Sequence, residues 1–491
     1  PLQSGASERK EGALVTFAEA KMWNSAVLMT WGSFLVRSIS LIVLLPLILT
    51  RLDPIDVAVW YLFATVITLQ MLVDLGFTPT FTRIVAYGYT GLTCQQLAHV
   101  ESMSKEERRE EPNWDTVSQV YATMKVVYRL LSLLVLLLGA TLGSWAVARL
   151  IGESASPSTA WFAWAVLLVT TVFSFYGNVY AALLQGLNKV ALVQRWRMAT
   201  GVASTLSAVA VLAVGGQLLE LVIAQQLWIV VNIFVNRHLV NRVLDAEAES
   251  VAPSKLNADV WDVVWKPAWR SGLGVAANVG LIQLSGVFYS QVAAPNEVAR
   301  YLIGLQLVRF LSNFSQVPFY SVLPRFAAMY ASGNIDKLRA DVQAAMLKVY
   351  WLFVCGLVVG DMFGSFFFDL IGSNIQFPEK EIWWLLGFGL LFERFGAMHL
   401  QVFSLSNKIV WHIANGMAGA VMLIVGIGLY PTVGVVAFPW AILIAYSCVY
   451  SPYCSTRSYR IFGTSCYVFE RKIFAPPLIM GLLYVGGSFV V

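Results

Sequence analysis

The fold is decided by residues 23–77, which read WNSAVLMTWGSFLVRSISLIVLLPLILTRLDPIDVAVWYLFATVITLQMLVDLGF. Two apolar segments are joined here by the turn Leu52-Asp53-Pro54; Arg37 interrupts the first segment and Asp74 closes the second. At 1.5 Å per helical residue, each segment is long enough to cross a hydrocarbon core of roughly 30 Å. An ionisable side chain inside such a span costs roughly 2.5–3.5 kcal/mol, so Arg37 is a candidate functional residue.

The rest of the chain has the same character. Of its 491 residues, 58% are hydrophobic and only 12% are charged, about half the charged fraction of a soluble domain. The apolar runs lack the alternation of barrel strands, so we predict an all-α polytopic membrane protein. The spacing of the five cysteines and four histidines predicts no disulfide framework, metal site or cofactor, and we expect no cleaved secretory signal. The predicted spans are 24–49, 56–78, 124–148, 160–185, 194–214, 218–237, 270–291, 298–322, 347–369, 381–405, 409–429 and 434–453, with a short apolar tail at 474–491.

Lysine and arginine residues orient these spans. If the N-terminus is cytoplasmic, the inside segments hold 26 of them and the outside segments four. This bias follows the positive-inside rule and predicts a cytoplasmic N-terminus. The net charge of +5 is then an effect of the inner leaflet and requires no nucleic-acid partner.

An internal repeat predicts the architecture. Phe173-Ser174-Phe175-Tyr176-Gly177 pairs with Phe392-Glu393-Arg394-Phe395-Gly396, and Asn188-Lys189-Val190 pairs with Asn407-Lys408-Ile409 at the same offset. We therefore predict two six-helix lobes in parallel repeat, an arrangement typical of transporters whose substrate sites lie near the midplane. The predicted divisions are an N-terminal lobe at 1–243, a cytoplasmic linker with an interfacial helix at 244–269, a C-terminal lobe at 270–455, and a basic segment with an apolar helix at 456–491.

The interfacial helix is predicted from a stripe of tryptophans. Trp261, Trp265 and Trp269 follow at i, i+4 and i+8 after a polar, acidic stretch. Such spacing places the three rings on one helix face, which is typical of a helix lying at the inner membrane interface.

Charged residues at the membrane midplane are the main candidates for a binding site. Counted along their helices, Arg37, Arg309, Glu393 and Arg394 all lie about 17–20 Å from a span end, too deep to reach either surface. Each is predicted either to contact substrate or to form a buried ion pair. Because adjacent residues on a helix point about 100° apart, Glu393 and Arg394 are not expected to pair with each other.

Three further residues are candidates for coupling or gating. Asp361 is predicted at a depth similar to the arginines, within a Gly356-Gly360-Gly364 run that is also typical of a close helix-packing face. Asp74 and Arg83 are expected at the inner mouth, as an interfacial cap or gate contact or in admitting substrate. His399 is interpreted as a core residue rather than a proton carrier.

The hairpin also carries a resemblance. The outer turn Asp56-Val57-Ala58-Val59-Trp60, the sequence Asp74-Leu75-Gly76-Phe77, and Arg83 with Tyr87 beyond it resemble the N-terminal signature of Wzx-type O-antigen and capsule flippases. These belong to the polysaccharide-transporter branch of the multidrug/oligosaccharidyl-lipid/polysaccharide (MOP) exporter superfamily.

The resemblance implies alternating access between two lobes in the bacterial inner membrane. It implies as cargo an undecaprenyl-diphosphate-linked oligosaccharide, taken from surrounding membrane lipids and received by cavity-lining cations, with other polysaccharide-assembly proteins as further partners. On this hypothesis Arg37 and Arg309 neutralise the diphosphate, whose oxygens suit the arginine fork. Glu393 and Asp361 are then the candidates for coupling to a proton or Na⁺.

Two alternatives stay open. One is a multidrug or cation exporter of the same superfamily, which is expected to line its cavity with carboxylates. The other is a membrane enzyme, an oligosaccharide polymerase or ligase, although the short predicted outer connections favour a transporter that is not an enzyme.

Overall fold

Helices make up the described backbone. The computed structural model describes residues 26–74, 76–96, 111–247, 257–275, 280–331, 333–406 and 410–488, and no strand occurs within them. The helices are α1 (Ala26–Arg51), α2 (Pro54–Thr68), α3 (Gln70–Asp74), α4 (Phe77–Tyr89), α5 (Trp114–Leu138), α6 (Ser144–Glu153), α7 (Pro157–Gly186), α8 (Val190–Ala213), α9 (Leu218–Glu247), α10 (Ala258–Val275), α11 (Leu281–Val292), α12 (Pro295–Ser315), α13 (Val317–Tyr320), α14 (Leu323–Ala331), α15 (Ile335–Leu370), α16 (Lys380–Ser404), α17 (Trp411–Val433), α18 (Ala437–Ile444), α19 (Ser451–Phe462), α20 (Cys466–Glu470) and α21 (Ala475–Ser488).

Local sequence explains where several helices begin. Pro54, Pro157 and Pro295 each open a helix, where a residue without an amide hydrogen loses no hydrogen bond and its fixed φ favours the first turn. The Asn113 side chain accepts a hydrogen bond from the amide of Thr116 and caps α5. The turn predicted at residues 52–54 is confirmed, because α1 ends at Arg51 and α2 begins at Pro54.

Many of these helices are suited to a membrane. By length and composition, seven continuous helical stretches among the described residues could cross one: Pro54–Asp74, Trp114–Glu153, Pro157–Gly186, Val190–Ala213, Leu218–Asp245, Ile335–Leu370 and Trp411–Phe462. Large apolar side chains are exposed along them; Leu137, Phe366 and Ile427 have exposed fractions of 60%, 63% and 73%. Such surfaces are unfavourable in water and are expected to face lipid.

Two predicted spans are shorter than the helices that contain them. The span predicted at 347–369 lies in α15, which begins at Ile335. The span predicted at 124–148 begins ten residues into α5, which continues through a π-helical turn at Gly139–Gly143 into α6. Hydropathy identifies only the apolar part of a helix, so it misses the polar extensions at the start of these two.

The chain divides into two compact units. The first comprises Pro1–Leu52, Gly76–Ser144 and Ala155–Trp269. Within it, glycines allow close helix packing: an added Cβ at Gly32 of α1 would meet Met198 of α8, and one at Gly177 of α7 would meet Ile233 of α9.

The tryptophan stripe of α10 packs partly on the protein. Trp261 and Trp265 stack with ring centroids 5.3 Å apart, and both rings lie against Phe77 of α4. Trp265 and Trp269 remain 41% and 40% exposed. The predicted helix therefore exists and keeps an exposed aromatic edge, while its place at a membrane interface stays a prediction.

The second unit comprises Asp53–Leu75, Trp145–Ser154 and Arg270–Val491. Helices α2, α11 and α12 pack together in it, since a Cβ at Gly286 would meet Leu302 and Thr65. The run Gly356-Gly360-Gly364 of α15 is a close packing face, because added Cβ atoms there would meet Leu311, Trp383 and Phe377 respectively. The apolar tail forms α21, whose Gly481 faces Val354 and Phe388.

Residues at equivalent positions of the repeat make similar contacts in the two units. Gly177 of α7 and Gly396 of α16 are equivalent positions in the repeat. An added Cβ at Gly177 would meet Ile233 of α9, and one at Gly396 would meet Tyr450, just before α19. Trp164 and Trp383 are separated by the same offset as these glycines. The Trp164 indole donates to Ser144, and the Trp383 indole donates to the Leu357 carbonyl. In each unit the indole thus reaches back to the helix before its own, and these similar contacts support the internal repeat.

Candidate functional site

Arg394 of α16 is the most firmly held of the predicted site residues. The residue is buried; Nε and Nη2 donate to Ser312 Oγ at 3.2 and 2.8 Å, and Nη1 donates to Gln316 Oε1. Both acceptors are neutral and lie at the end of α12. Arg394 therefore joins α16 to the end of α12 through hydrogen bonds that do not themselves balance its positive charge.

Glu393 pairs with its neighbour. Its Oε2 lies 3.6 Å from Arg394 Nη2, and the two side chains are 13% and 9% exposed. The expectation that adjacent residues on a helix do not meet was wrong here. The Cα–Cβ bonds of the two residues point in different directions, but the Arg394 side chain is long enough for Nη2 to lie near the Glu393 carboxylate while it donates to Ser312 of α12.

Arg309 lies one helical turn before Ser312 on α12. Arg309, Ser312 and Gln316 are spaced at i, i+3 and i+7, which places them on one face of the helix. Arg309 is half-buried, and among the described residues no hydrogen bond or ion pair reaches its guanidinium. It interacts at longer range with Tyr446, Tyr301 and Glu393. Removing a guanidinium from water without a partner raises the free energy of the folded state. A bound anion would therefore stabilise Arg309 more than the other groups of this site.

A π-helical segment forms another wall of this site. Residues Ala445–Tyr450 are π-helical, a rare conformation that is frequent at functional sites. Tyr446 is 2% exposed, and its ring packs edge-on against Tyr450. Just beyond, the Ser451 hydroxyl donates to the Phe392 carbonyl at 2.8 Å, which fixes this wall against α16 beside Glu393.

Asp361 is not brought to this site. Its Oδ2 lies 3.8 Å from Nζ of Lys380, the first residue of α16, and it also hydrogen-bonds Tyr484 of α21. Lys380 precedes Arg394 by about 21 Å along the helix. Asp361 thus pairs with a lysine at the head of α16 rather than with the arginines, and its predicted coupling or gating role stays a prediction.

The remaining predicted residues belong to other places. Arg37 lies in α1, but its side chain is outside the described residues. Asp74 is half-buried at the end of α3, before the turn at Gly76 where φ is 72°. Arg83 is exposed on α4. The roles predicted for these three residues stay predictions.

One further cluster of the second unit has no signal in the sequence. His399 is fully buried, and its Nε2 lies 3.0 Å from Glu470 Oε1, which also accepts from the Tyr459 hydroxyl at 2.9 Å. Glu470 lies in the segment predicted only as basic. Its burial follows from the packing of α20 against α19, where Phe469 stacks on Phe462 at 5.4 Å. The interpretation of His399 as a core residue agrees with this contact.

No protein-family model matches the sequence, and no curated protein matches it significantly. Its fold nevertheless has solved counterparts. The lipid II flippase MurJ, in an inward closed conformation, matches with a TM-score of 0.61 and 12% identity over 93% of this chain and 92% of that chain.

Two multidrug transporters match over similar lengths. An inward-facing multidrug resistance MATE family transporter of the MOP superfamily gives a TM-score of 0.60 and 14% identity, over 88% of this chain and 96% of that chain. The MATE multidrug transporter DinF-BH, solved in complex with a ligand, gives 0.61 and 12%, over 91% and 97%. These likenesses confirm the predicted all-α, multi-pass, two-lobed fold, which this chain shares with those transporters and with MurJ. The finer resemblance to Wzx-type flippases stays a prediction.

Proposed function

We propose that the protein is a flippase that moves a polyprenyl-diphosphate-linked oligosaccharide from the inner to the outer leaflet by alternating access. The observation that supports this most directly is Arg309, half-buried within a predicted span and unpaired among the described residues. A diphosphate offers several anionic oxygens, and a guanidinium can hold two of them at once. Arg309 is thus suited to the head group of such a lipid.

Arg394 has a second part in this proposal. It stays bound to Ser312 and Gln316 and supplies positive potential on the helix face that carries Arg309. Counting Arg309, Arg394 and Glu393, the site holds a net charge of +1. Such a site attracts an anionic head group. When no head group is bound, Glu393 still balances one of the two arginine charges.

The membrane potential then favours the outward direction. A head group with about two negative charges gains about 4–5 kcal/mol per 100 mV on leaving a negative interior. Coupling to a proton or Na⁺ adds to this only if a carboxylate takes part, and Glu393 is the carboxylate nearest the arginines.

A multidrug or cation exporter is the alternative, since two of the structural counterparts carry the name of multidrug transporters. A cationic substrate requires an anionic contact. At this site the described carboxylate is Glu393, which is already shared with Arg394. The charge of the site therefore favours an anionic cargo.

Flipping in reconstituted vesicles tests the proposal. The purified protein is placed in vesicles with the lipid-linked oligosaccharide pool of its native cells, and exposure of the glycan to a membrane-impermeant lectin is followed over time. We expect the protein to accelerate exposure and Arg309→Gln to reduce the rate at least tenfold. Arg325→Gln is the matched control, because Arg325 lies on α14, is exposed and pairs with Asp341 of α15. Equal rates with and without wild-type protein would refute the proposal.

A further inference from the structure

A polar cavity lies inside the first unit. It has a volume of about 370 Å³ between α1, α7, α8 and α9, within the range of small-ligand sites. Hydroxyl and amide side chains line it, together with Trp228 and Arg197, and no carboxylate is among the described lining residues. A polar cavity within membrane helices is costly to maintain, so it points to a ligand.

An amide ladder runs along one wall. Trp228, Asn232 and Asn236 follow at i, i+4 and i+8 on α9, which places all three on one face. Asn232 Nδ2 donates to Thr200 Oγ1 at 3.1 Å, and Asn236 Nδ2 donates to Asn232 Oδ1 at 3.0 Å. The Trp228 indole donates to Ser207 at 2.8 Å, which fixes its ring beside the ladder.

The ladder ends on an unsatisfied acceptor. The Thr200 hydroxyl donates its hydrogen to the Trp196 carbonyl at 2.9 Å, so toward Asn232 it can only accept. This orients the Asn232 amide, which in turn orients Asn236 and leaves its Oδ1 as the free end. Asn236 is 4% exposed, and its Oδ1 has no hydrogen-bond partner among the described residues. A buried amide oxygen without a donor is unfavourable, so this end of the ladder favours a hydrogen-bond donor.

The chemistry of the cavity is that of saccharide recognition. A pyranose presents hydroxyl groups, which both donate and accept hydrogen bonds, and an apolar C–H face that packs on an aromatic ring. Amides and hydroxyls beside a fixed tryptophan match both features. Because the described lining holds no carboxylate, the cavity is unsuited to a cation such as Na⁺.

We propose that this cavity binds a neutral saccharide unit of the transported lipid, with the polar groups of Asn232, Asn236 and Ser204 hydrogen-bonding the sugar hydroxyls. The inference rests on the proposed flippase function and adds a specificity site to it. The cavity recognises the glycan, whereas the arginines of the second unit recognise the diphosphate common to all such lipids.

Equilibrium binding of two lipids to the full chain in nanodiscs tests this division. The probes are undecaprenyl diphosphate alone and the undecaprenyl-diphosphate-linked oligosaccharide pool of the native cells. We expect the wild type to bind the glycosylated lipid at least tenfold more tightly. Asn236→Leu should abolish this preference and leave binding of the bare lipid unchanged.

A second variant covers the case in which Asn236→Leu does not fold. Ser204 also lines the cavity, and Ser204→Leu fills it without removing a rung of the ladder, so it should abolish the preference too. Ala199→Leu adds the same kind of bulk to an exposed position of α8 and should retain the preference. Equal wild-type affinities, or a preference that survives both cavity variants, would overturn the saccharide site alone. Binding of neither lipid to the wild type would overturn the flippase proposal itself.

Discussion

The two units place different chemistry on repeated helices. The cavity of the first unit is lined by neutral polar residues such as Ser174, Asn232 and Asn236. The second unit carries Glu393 and Arg394 at the positions equivalent to Ser174 and Phe175 of the first unit. Both units keep the packing glycine nearby, Gly177 or Gly396, each against a later helix. The repeat thus fixes the backbone positions and leaves the polar side chains free to differ. On the proposed function, this difference lets the neutral and anionic parts of one cargo be recognised separately.

The largest expected effect comes from breaking the charged pair of the second unit. Arg394→Leu leaves Glu393 as a buried charge without its partner and removes three hydrogen bonds to Ser312 and Gln316. Breaking a buried pair in this way costs about 3–5 kcal/mol. We expect that loss in the free energy of unfolding measured in mixed micelles.

A double variant controls for this result. Glu393→Leu with Arg394→Leu removes both charges, so most of the lost stability should return. If the double variant is as unstable as Arg394→Leu, the hydrogen bonds to α12 rather than the ion pair carry the stability.

The His399 cluster should give the next largest loss. Glu470→Leu removes the acceptor of both the Tyr459 hydroxyl and His399 Nε2. Each buried group left unsatisfied costs about 1–3 kcal/mol, so the free energy of unfolding should fall by about 3 kcal/mol. Glu470→Gln, which keeps an acceptor oxygen, should lose much less; equal losses would show that the negative charge matters more than the hydrogen bonds.

Arg309 should behave in the opposite way to Arg394. Arg309→Gln removes a cation without described partners, so the free energy of unfolding should stay unchanged or rise. The affinity for undecaprenyl diphosphate in nanodiscs should fall about 10- to 100-fold, since charged hydrogen bonds contribute about 1.5–3 kcal/mol. A variant that is destabilised but binds normally would assign Arg309 a structural role.

Asp361 should show the smallest effect. Asp361→Asn removes the buried charge of a pair whose other member, Lys380, is partly exposed and stays hydrated on its own, so we expect a loss of about 1 kcal/mol or less. Transport in vesicles should stay within about twofold of wild type, with the same response to imposed proton and Na⁺ gradients. Loss of that response would instead support the coupling role predicted from sequence.

The fold was largely predictable because its signals are local. Apolar runs and the turn before Pro54 follow from short segments, and the repeat follows from spacing. The site was less predictable, because its contacts join distant segments. Arg394 is bound by residues of α12 far earlier in the chain, and Glu470 is buried by packing that its basic surroundings do not suggest. The cavity has no local signal at all, because its amides and hydroxyls are scattered over four helices.

Substrate choice in a single preparation of vesicles tests the central claim most directly. The purified protein is supplied in parallel with the lipid-linked oligosaccharide pool and with ethidium, an aromatic cation that stands for the substrates of a multidrug exporter. We predict that the glycan reaches the outer face faster than in protein-free vesicles, whereas ethidium crosses no faster than in those vesicles. Accelerated transport of ethidium without movement of the glycan would contradict the account.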